Sequence, residues 1–288
     1  MKVLTIGERV RYFRKLLDIS QKELADNKVS SNLISLIERG KIPLSTVTAS
    51  ILVDNINRFS EKQGVGLNLG IKDLLMPREE YLRSQCEDSI NKSNDGKNSE
   101  EYKKIIEVCS KHNFNDVLVK VEEKLADEYF SNKDYKNAAE HYKSYIDSEN
   151  NNDNIKSKFN AMYRISICCY NMEQYGVSLK YMNEAYEFME KNNIEADLGN
   201  ILYQIALMNF KIRNFKYAEE YINRFFLLEN SNEELKNRGT FLRGNLYLER
   251  GQYYDALKVY KSLVGKEMMD ADLLYCNISN ALEKVVPN

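Results

Sequence analysis

The sequence predicts an all-α protein, and three observations support this fold class. The 288-residue chain holds only 3 prolines and 12 glycines, so residues that interrupt helices are scarce. Apolar residues make up 43% of the chain, and they recur at the three- and four-residue spacings of amphipathic helices. From about residue 118 onward, a helical pattern repeats every 38 to 40 residues. The length suffices for two domains with separate cores.

The first forty residues predict three helices with clear start signals. Thr5 and Glu8 form a capping-box pattern at the start of a helix over Ile6 to Leu17. The string SQKE at 20–23 repeats this pattern and opens a short second helix. A third helix is expected from about Ser31 to Arg39, before a glycine and a proline that stop it.

The string SQKELADNKVSSNLISLIERGKIPLS, from Ser20 to Ser45, resembles the helix-turn-helix of the phage-repressor and Cro-like family. Ala25 is small where the two helices cross closely, and Ile34 and Ile37 hold the second helix on the first. The turn lacks the glycine of many members, and Asn27 is expected to take the left-handed conformation instead. The resemblance implies that the second helix of the motif enters the major groove of DNA.

This resemblance also implies two sets of DNA contacts. The residues expected to face base edges are Ser30, Ser31, Asn32 and Ser35. The residues expected to hold phosphates are Gln21, Arg39 and Lys41. Asn32 matters most, because its amide can pair with adenine through two hydrogen bonds. Taken alone, Ser30 could simply cap its helix and Asn32 could be a solvated surface residue.

The charge distribution separates the two ends of the chain. Residues 1–60 hold ten Lys and Arg against six Asp and Glu, an excess of four positive charges. Because the whole chain has a net charge of −2, the remainder carries −6. A basic N-terminal part on an acidic body indicates that only the N-terminal part approaches phosphate.

A fourth helix, from about Ser45 to Phe59, is expected to complete the first domain. The residues that it is expected to bury are Val47, Ile51, Leu52 and Ile56. Three glycines at 64, 66 and 70 then predict a flexible loop, and residues 71–77 are expected to form the domain boundary. We therefore expect a DNA-binding domain with its linker at 1–76, a second domain at 77–288, and a linker helix at about 79–91.

Four segments of the second domain share small residues twelve positions apart. The pairs are Ala126 with Ala138, Ser166 with Ser178, Ala206 with Ala218, and Gly244 with Ala256. An aromatic residue stands three positions before each second small residue (Tyr135, Tyr175, Phe215, Tyr253), and a large residue four positions after it (Tyr142, Met182, Ile222, Tyr260). Small residues at this spacing allow two antiparallel helices to pack closely. The pattern resembles the tetratricopeptide repeat, which implies a right-handed α-solenoid.

The clear repeats span about 119–265. A degenerate unit with Asn94-Asp95-Gly96 as its turn is expected to precede them, and a capping helix from about Asp270 to Val285 is expected to close the stack. In this repeat class the first helix of each pair lines a concave groove.

An asparagine amide has a donor side and an acceptor side, so it can hold the backbone of an extended peptide whatever the peptide's sequence. The inward positions expected to bind a peptide are Asn160, Tyr163, Asn171, Asn200, Tyr203, Gln204, Lys211, Arg238, Phe241 and Asn245. Ile167 and Leu207 are expected to face the groove as well. The abundance of asparagine in the chain and packing of tyrosines between repeats are the simpler explanations of the same pattern.

The combination of a repressor-like head with a repeat domain resembles the Rgg/PlcR/PrgX-type peptide-pheromone receptors of Gram-positive bacteria. The resemblance rests on domain order, length and repeat type. It implies a cytoplasmic quorum-sensing transcription regulator that is a homodimer through its repeat domain. Its partners would be a palindromic double-stranded DNA operator and a short signalling peptide, with no membrane association.

Two other functions stay open. The repeat domain could bind a protein partner without a peptide signal, and a phage-encoded receptor that controls lysis and lysogeny is a close variant. Catalysis has little support, because the two histidines, His112 and His141, stand in no Ser/His/Asp or metal-ligand arrangement. The five cysteines have no CxxC spacing, and we expect no metal, no cofactor and no catalytic residue.

Overall fold

The computed structural model describes residues 4–92, 99–148, 154–228, 232–266 and 271–285. Across these ranges every regular element is an α-helix, which confirms the predicted all-α class. In the same ranges no helix combines the length and the apolar character needed to span a bilayer. The chain divides into two compact units, Met1–Val121 and Glu122–Asn288. The boundary expected after residue 76 falls inside the first unit, and that division stays a prediction.

The first unit contains seven complete helices within the described residues. They are α1 (Ile6–Leu16), α2 (Gln21–Ala25), α3 (Ser31–Glu38), α4 (Thr46–Gln63), α5 (Ile71–Leu75), α6 (Arg78–Lys92) and α7 (Ser99–His112). Both expected capping boxes are present, at Thr5 with Glu8 and at Ser20 with Glu23. Helices α1 to α5 share one apolar core, whose centre includes the fully buried Leu24, Ile34 and Leu52.

The expectation that α4 buries Val47 is wrong. Val47 is not buried but 73% exposed, because the buried face of α4 follows Ala49, Leu52 and Ile56 and leaves Val47 on another side of the helix. Residues 71–75 lie in the expected boundary region. They form α5, and Leu74 is fully buried in the core that α1 to α4 build.

The segment between α4 and α5 is also tied to the domain. The side chain of Asn57 accepts a hydrogen bond from the Leu69 N–H at 2.8 Å and donates one to the Leu69 carbonyl at 2.9 Å. The Ser60 hydroxyl accepts a hydrogen bond from the Leu67 N–H at 2.6 Å. These bonds satisfy backbone groups that the glycine-rich segment itself leaves unpaired.

Two residues of α1 fix its neighbours. A Cβ atom on Gly7 would lie 2.2 Å from the carbonyl oxygen of Ile37, so only glycine permits the approach of α1 to α3. Arg9 is fully buried. Its guanidinium donates hydrogen bonds to the carbonyls of Asp73, at 3.0 Å, and Met76. These bonds hold the last turn of α5 against α1.

The remaining helices follow the predicted repeats. They are α8 (Asn115–Ser131), α9 (Tyr135–Asp147), α10 (Ile155–Asn171), α11 (Tyr175–Asn192), α12 (Leu198–Lys211), α13 (Phe215–Phe226), α14 (Glu233–Glu249), α15 (Tyr253–Lys261) and α16 (Ala271–Val285). Helix α10 packs on α11, α12 on α13, and α14 on α15. The expected turn at 94–96 and the expected start of the last helix at 270 lie outside the described residues.

The paired small residues lie where the helices of each hairpin cross. Ser166 and Ser178 are fully buried, and each hydroxyl donates a hydrogen bond to the other residue's carbonyl, at 2.8 and 2.7 Å. The hydroxyls are thereby satisfied inside an apolar contact. A Cβ atom on Gly244 would lie 2.4 Å from a ring carbon of Tyr260. The crossing of α14 and α15 is therefore as close as its side chains allow.

The turn between the two helices of each pair has one backbone geometry. Lys133, Glu173, Arg213 and Gly251 occupy equivalent positions, and all have positive φ angles, from 60° to 74°. The N–H of the following residue bonds to a carbonyl five residues earlier, at 2.8 to 2.9 Å, which closes the end of the first helix. Three of the four residues are not glycine, so glycine content did not reveal this turn.

We predict that Gly244→Ala lowers the free energy of unfolding of the full chain by about 2 kcal/mol, because the new methyl overlaps the buried Tyr260 ring. Urea unfolding followed by circular dichroism would measure the change. Gly176→Ala is the control. A Cβ there meets nothing within 4 Å, so the substitution should be neutral or stabilise by up to about 1 kcal/mol. Equal effects of the two substitutions would contradict the crossing geometry.

Candidate functional sites

The turn between α2 and α3 presents the third helix of the first unit. Asp26 and Asn27 both have positive φ angles, 47° and 55°, so two left-handed residues reverse the chain where one was expected. Asn55 of α4, fully buried, donates a hydrogen bond to the Leu24 carbonyl at 2.8 Å. This bond supports the end of α2 next to the turn.

The first turn of α3 is polar and exposed. Ser30 caps the helix, and its hydroxyl accepts a hydrogen bond from the Leu33 N–H at 3.1 Å. Ser31 and Asn32 are exposed, and Ser35 is half-buried. The opposite side of α3 is anchored, since Ile34 is fully buried. The first turn of α3 therefore exposes short side chains that can form hydrogen bonds, while the opposite side of the helix is held in the core.

Glu38 lies at the centre of a buried polar network that joins α1, α2 and α3. Its carboxylate accepts hydrogen bonds from Arg14 at 2.6 and 3.0 Å and from the Gln21 amide at 2.8 Å. Arg14 also donates to the Ile19 carbonyl at 2.9 Å. The side chains of Arg14 and Glu38 are 13% and 4% exposed. Gln21, expected to hold a phosphate, thus has its amide engaged within the protein.

The network shifts the titration of Glu38. Burial raises the pKa of this carboxyl, but the hydrogen bonds from Arg14 and Gln21 and the charge of Arg14 outweigh burial, and the net pKa lies below its ordinary value. The ionised form is therefore favoured in the folded state.

Arg39 and Lys41, also expected to hold phosphates, lie exposed at the other end of α3. The Arg39 Nε donates to the Ser35 carbonyl at 3.1 Å. Gly40 has a φ of 70°, and the following N–H of Lys41 bonds to the Leu36 carbonyl at 2.9 Å. The chain leaves α3 in a fixed direction, with two exposed cations next to its last turn.

The predicted groove residues fall into two cavities of the second unit. The large cavity, of about 480 Å³, is lined by seven of them: Asn171, Tyr203, Gln204, Lys211, Arg238, Phe241 and Asn245. The small cavity, of about 300 Å³, is lined by the other three: Asn160, Tyr163 and Asn200. Asn200 and Gln204 stand one turn apart on α12, so the two cavities adjoin along that helix. We call the two cavities together the concave groove.

A hydrogen bond between neighbouring repeats lies in the small cavity. The amide Nδ2 of Asn200, on α12, donates to the hydroxyl of Tyr163, on α10, at 2.9 Å. Burial raises the pKa of Tyr163, and the negative charge of Asp197 adds to the shift. Asp197 caps α12 by accepting a hydrogen bond from the Asn200 N–H at 3.0 Å. A carboxylate, a phenol and an amide are thus grouped at the start of α12.

Two asparagines of the large cavity already have internal partners. The Asn171 amide donates to the Ile167 carbonyl at 2.8 Å. The Asn245 Oδ1 accepts hydrogen bonds from the Tyr260 hydroxyl at 2.7 Å and from Asn277 at 2.9 Å. At Asn245 the acceptor side of the amide is therefore committed to the fold, whereas Asn171 commits only one of its two N–H groups.

Aromatic and aliphatic side chains form much of the wall of the large cavity. Tyr203 is only 8% exposed, and burial raises its pKa to about 12 although the nearby positive charge of Arg238 opposes the shift. Arg238 pairs with Glu234 on its own helix at 2.8 Å. The expected inward positions of Ile167 and Leu207 also line this cavity.

Sequence reasoning missed four residues that line the large cavity, Tyr170, Phe210, Leu242 and Leu273. Tyr170 and Phe210 line it, and they stand 40 residues apart at equivalent repeat positions. Each ring contacts the first aromatic ring of the next helix, with centroids 5.4 Å apart for Tyr170 and Tyr175. The repeat pattern could have identified both. Leu273 comes from α16, which lies outside the repeats, so no periodic signal pointed to it.

Within the described ranges, no group of three or more His, Cys, Asp or Glu residues is arranged to hold a metal ion. His141 contacts Glu122 through its Nδ1 at 2.6 Å.

Comparisons with known proteins find resemblance only among solved structures. No family model matches the chain, and no curated protein matches it. The Bacillus thuringiensis PlcR structure, in complex with the peptide PapR7 and DNA, has 12% identity and a TM-score of 0.42, covering 98% of this chain and 99% of that chain. A point mutant of the Streptococcus dysgalactiae SHP pheromone receptor Rgg2 has 15% identity and a TM-score of 0.28, covering 98% and 99%. A point mutant of PrgX has 14% identity and a TM-score of 0.28, covering 98% and 93%.

PlcR, Rgg2 and PrgX are receptors of the type that the sequence resembles.

We predict that Glu38→Gln destabilises the first unit by roughly 3 kcal/mol at pH 7, because it leaves the buried Arg14 guanidinium without its anion. The folded pKa of Glu38 is depressed, so its contribution is present above the unfolded pKa of roughly 4.3 and is lost as the pH falls through the folded value. The difference between wild type and variant should therefore shrink on acidification. Hydrogen exchange of the α1–α3 amides in the full chain, at pH 7 and in acid, would measure it.

Glu61→Gln, at an exposed carboxylate of α4, is the matched control and should leave exchange unchanged. Equal protection of wild type and Glu38→Gln at pH 7 would show that the network does not stabilise these helices.

Proposed function

We propose that the protein is a cytoplasmic transcription regulator that binds operator DNA through α2 and α3 and a short signalling peptide in the concave groove. The observation that supports DNA binding most directly is the first turn of α3. Its side chains are polar and exposed, while the opposite side of the helix is anchored by the fully buried Ile34. The groove supplies the second binding surface. Its amides and aromatic walls suit an extended peptide better than a small rigid ligand.

DNA binding would use α3 in the major groove. Asn32, exposed in the first turn, can pair with adenine through its amide, and Ser31 and Ser35 can contact neighbouring base edges. Arg39 and Lys41 would hold phosphates beside the helix. Gln21 donates one of the two N–H groups of its amide to Glu38, so we expect it mainly to position α3 and to contribute little to affinity.

Peptide binding would use the two cavities together. The Asn200 amide donates to Tyr163, which leaves its carbonyl oxygen to accept a peptide N–H. Tyr203, Phe210 and Phe241 would receive apolar side chains.

A homodimer formed through the repeat domain would couple peptide binding to DNA binding. Two DNA-binding domains must stand about 34 Å apart to enter successive major grooves of a palindrome. A peptide that binds one curvature of the repeats better than another shifts the population that can span both half-sites.

We expect Asn32→Ala to lower the preference for adenine at one position of each half-site by roughly tenfold, since one bidentate amide pair contributes about 1 to 3 kcal/mol. Selection of random duplexes by the full chain, followed by binding measurements at several salt concentrations, would give the preference. Asn132→Ala, at an exposed asparagine of the second unit, is the control and should bind as wild type.

Sequence-independent binding by the wild-type chain at every salt concentration would contradict operator recognition, because phosphate contacts alone do not distinguish duplexes. Unchanged base preference in Asn32→Ala would reject the role of Asn32 only.

We expect Asn200→Ala to weaken peptide binding by at least about tenfold, while operator affinity without peptide stays at the wild-type value. Calorimetry with synthetic peptides from small reading frames beside the gene would measure binding. Tyr163→Phe removes the partner of Asn200 but keeps the amide, and it should weaken binding less. Parallel losses of peptide and operator binding in Asn200→Ala would instead identify a structural residue.

A further inference from the structure

One face of α6 is buried against the next helix along the chain. Leu82, Cys86 and Ile90 stand four residues apart on α6, and all three are buried. Helix α6 packs on α7, and a hydrogen bond joins the thiols of Cys86 and Cys109 across this contact. The apolar face of α6 is therefore committed to α7, and it does not fix how α6 stands on α1.

The polar face of α6 borders a cavity next to α1. The cavity has a volume of about 950 Å³ and is lined by residues of both helices. From α6 these are Tyr81, Ser84, Gln85, Asp88 and Ser89, and from α1 they are Glu8, Arg11, Tyr12, Phe13 and Lys15. Because open space lies between the two helices here, the angle between them depends on contacts at the edge of the cavity.

Arg9 of α1 contacts the start of α6 at that edge. The central carbon of its guanidinium lies 4.4 Å from the centroid of the Tyr81 ring, where a cation and an aromatic ring attract each other. Arg9 is fully buried, so water weakens this attraction little. The same guanidinium donates hydrogen bonds to the carbonyls of Asp73 and Met76. One side chain of α1 therefore holds the end of α5 and the start of α6.

The chain connection between α5 and α6 does not fix α6 by itself. Met76 and Pro77 are the residues between the two helices, and the soft dihedral angles of a two-residue link leave several directions open to α6. The stack of Arg9 on Tyr81 selects one of them. Gly7 brings α1 into close contact with α3, so the direction of α6 from α1 is also its direction from α3.

We propose that the Arg9–Tyr81 stack determines the half-site spacing that the protein recognises in operator DNA. One added base pair moves a half-site by about 3.4 Å and turns it by about 35° around the duplex. An α3 held in one direction from α6 cannot follow this turn, whereas an α3 released from the stack can. Tyr81 is thus a positioning residue, which acts on DNA recognition through Arg9. The inference rests on the proposed function, since it needs a dimer that reads two half-sites.

Operators with different spacers would test the inference. The half-sites are those that the full chain selects from random duplexes, and the spacer between them has the selected length or is longer by one, two or five base pairs. A duplex with a single half-site measures binding by one α3. Fluorescence anisotropy with the full chain would give the affinities. We expect the wild-type chain to bind the selected spacer at least about tenfold more tightly than the spacer that is longer by one base pair.

Tyr81→Leu removes the ring that faces Arg9 but keeps an apolar side chain on α6. The preference for the selected spacer should fall to about threefold or less, because a buried contact between a cation and a ring shifts an equilibrium by roughly tenfold. Affinity for a single half-site should stay at the wild-type value. Tyr81→Phe keeps the ring and should keep the preference. Tyr254→Leu, at a 75% exposed tyrosine of α15, is the matched control and should bind every duplex as wild type does.

The outcomes separate this inference from the proposed function. An unchanged spacer preference in Tyr81→Leu would overturn the inference, and so would a loss of preference in Tyr81→Phe, because the hydroxyl rather than the stack would then be responsible. A parallel loss of single half-site affinity in Tyr81→Leu would identify a residue that these helices need to fold, and it would overturn the inference as well. Wild-type binding that depends on sequence but not on spacing would overturn it and leave operator recognition in place. Wild-type binding that depends on neither would overturn both the inference and the proposed function.

Discussion

The close crossing of paired helices is the constraint on which the second unit depends. At each crossing the chain has alanine, serine or glycine, and no larger side chain fits where Gly244 meets Tyr260. Because these crossings fix the spacing within a pair, they also fix where the first helices of successive pairs stand. The groove residues lie on those first helices, so residues that touch no ligand determine the distance across which Asn200 reaches Tyr163.

In the first unit, a buried ion pair between Arg14 and Glu38 fixes the direction of α3. Close approach of α1 and α3 depends on Gly7, while the direction of α3 depends on Glu38, which Arg14 and Gln21 hold from two other helices. A buried ion pair is a costly way to gain stability. It is an effective way to fix direction, because its hydrogen bonds form in one geometry only, and the orientation of α3 determines what its first turn can contact.

The sequence predicted most of the fold, because helix starts and close crossings have local chemical requirements. The capping boxes at Thr5 and Ser20 and the small-residue pairs could be read directly. What it missed depends on distant partners. The sequence around Gln21 does not indicate that its amide donates a hydrogen bond to Glu38. The sequence around Asn245 likewise does not indicate the hydrogen bonds that it accepts from Tyr260 and Asn277. Leu273 reaches the large cavity from a helix outside the repeats.

The Tyr163–Asn200 hydrogen bond gives the proposed ligand response a physical basis. The bond joins α10 and α12, which belong to successive repeats, and it lies in the cavity where a peptide would bind. A peptide that competes for either group changes what holds these repeats together, and one that joins the bond strengthens it. In both cases the ligand shifts the spacing of the repeats only by the difference between its affinities for the two spacings. Under the proposed function, a peptide bound at this hydrogen bond would therefore change the spacing of the two repeats directly.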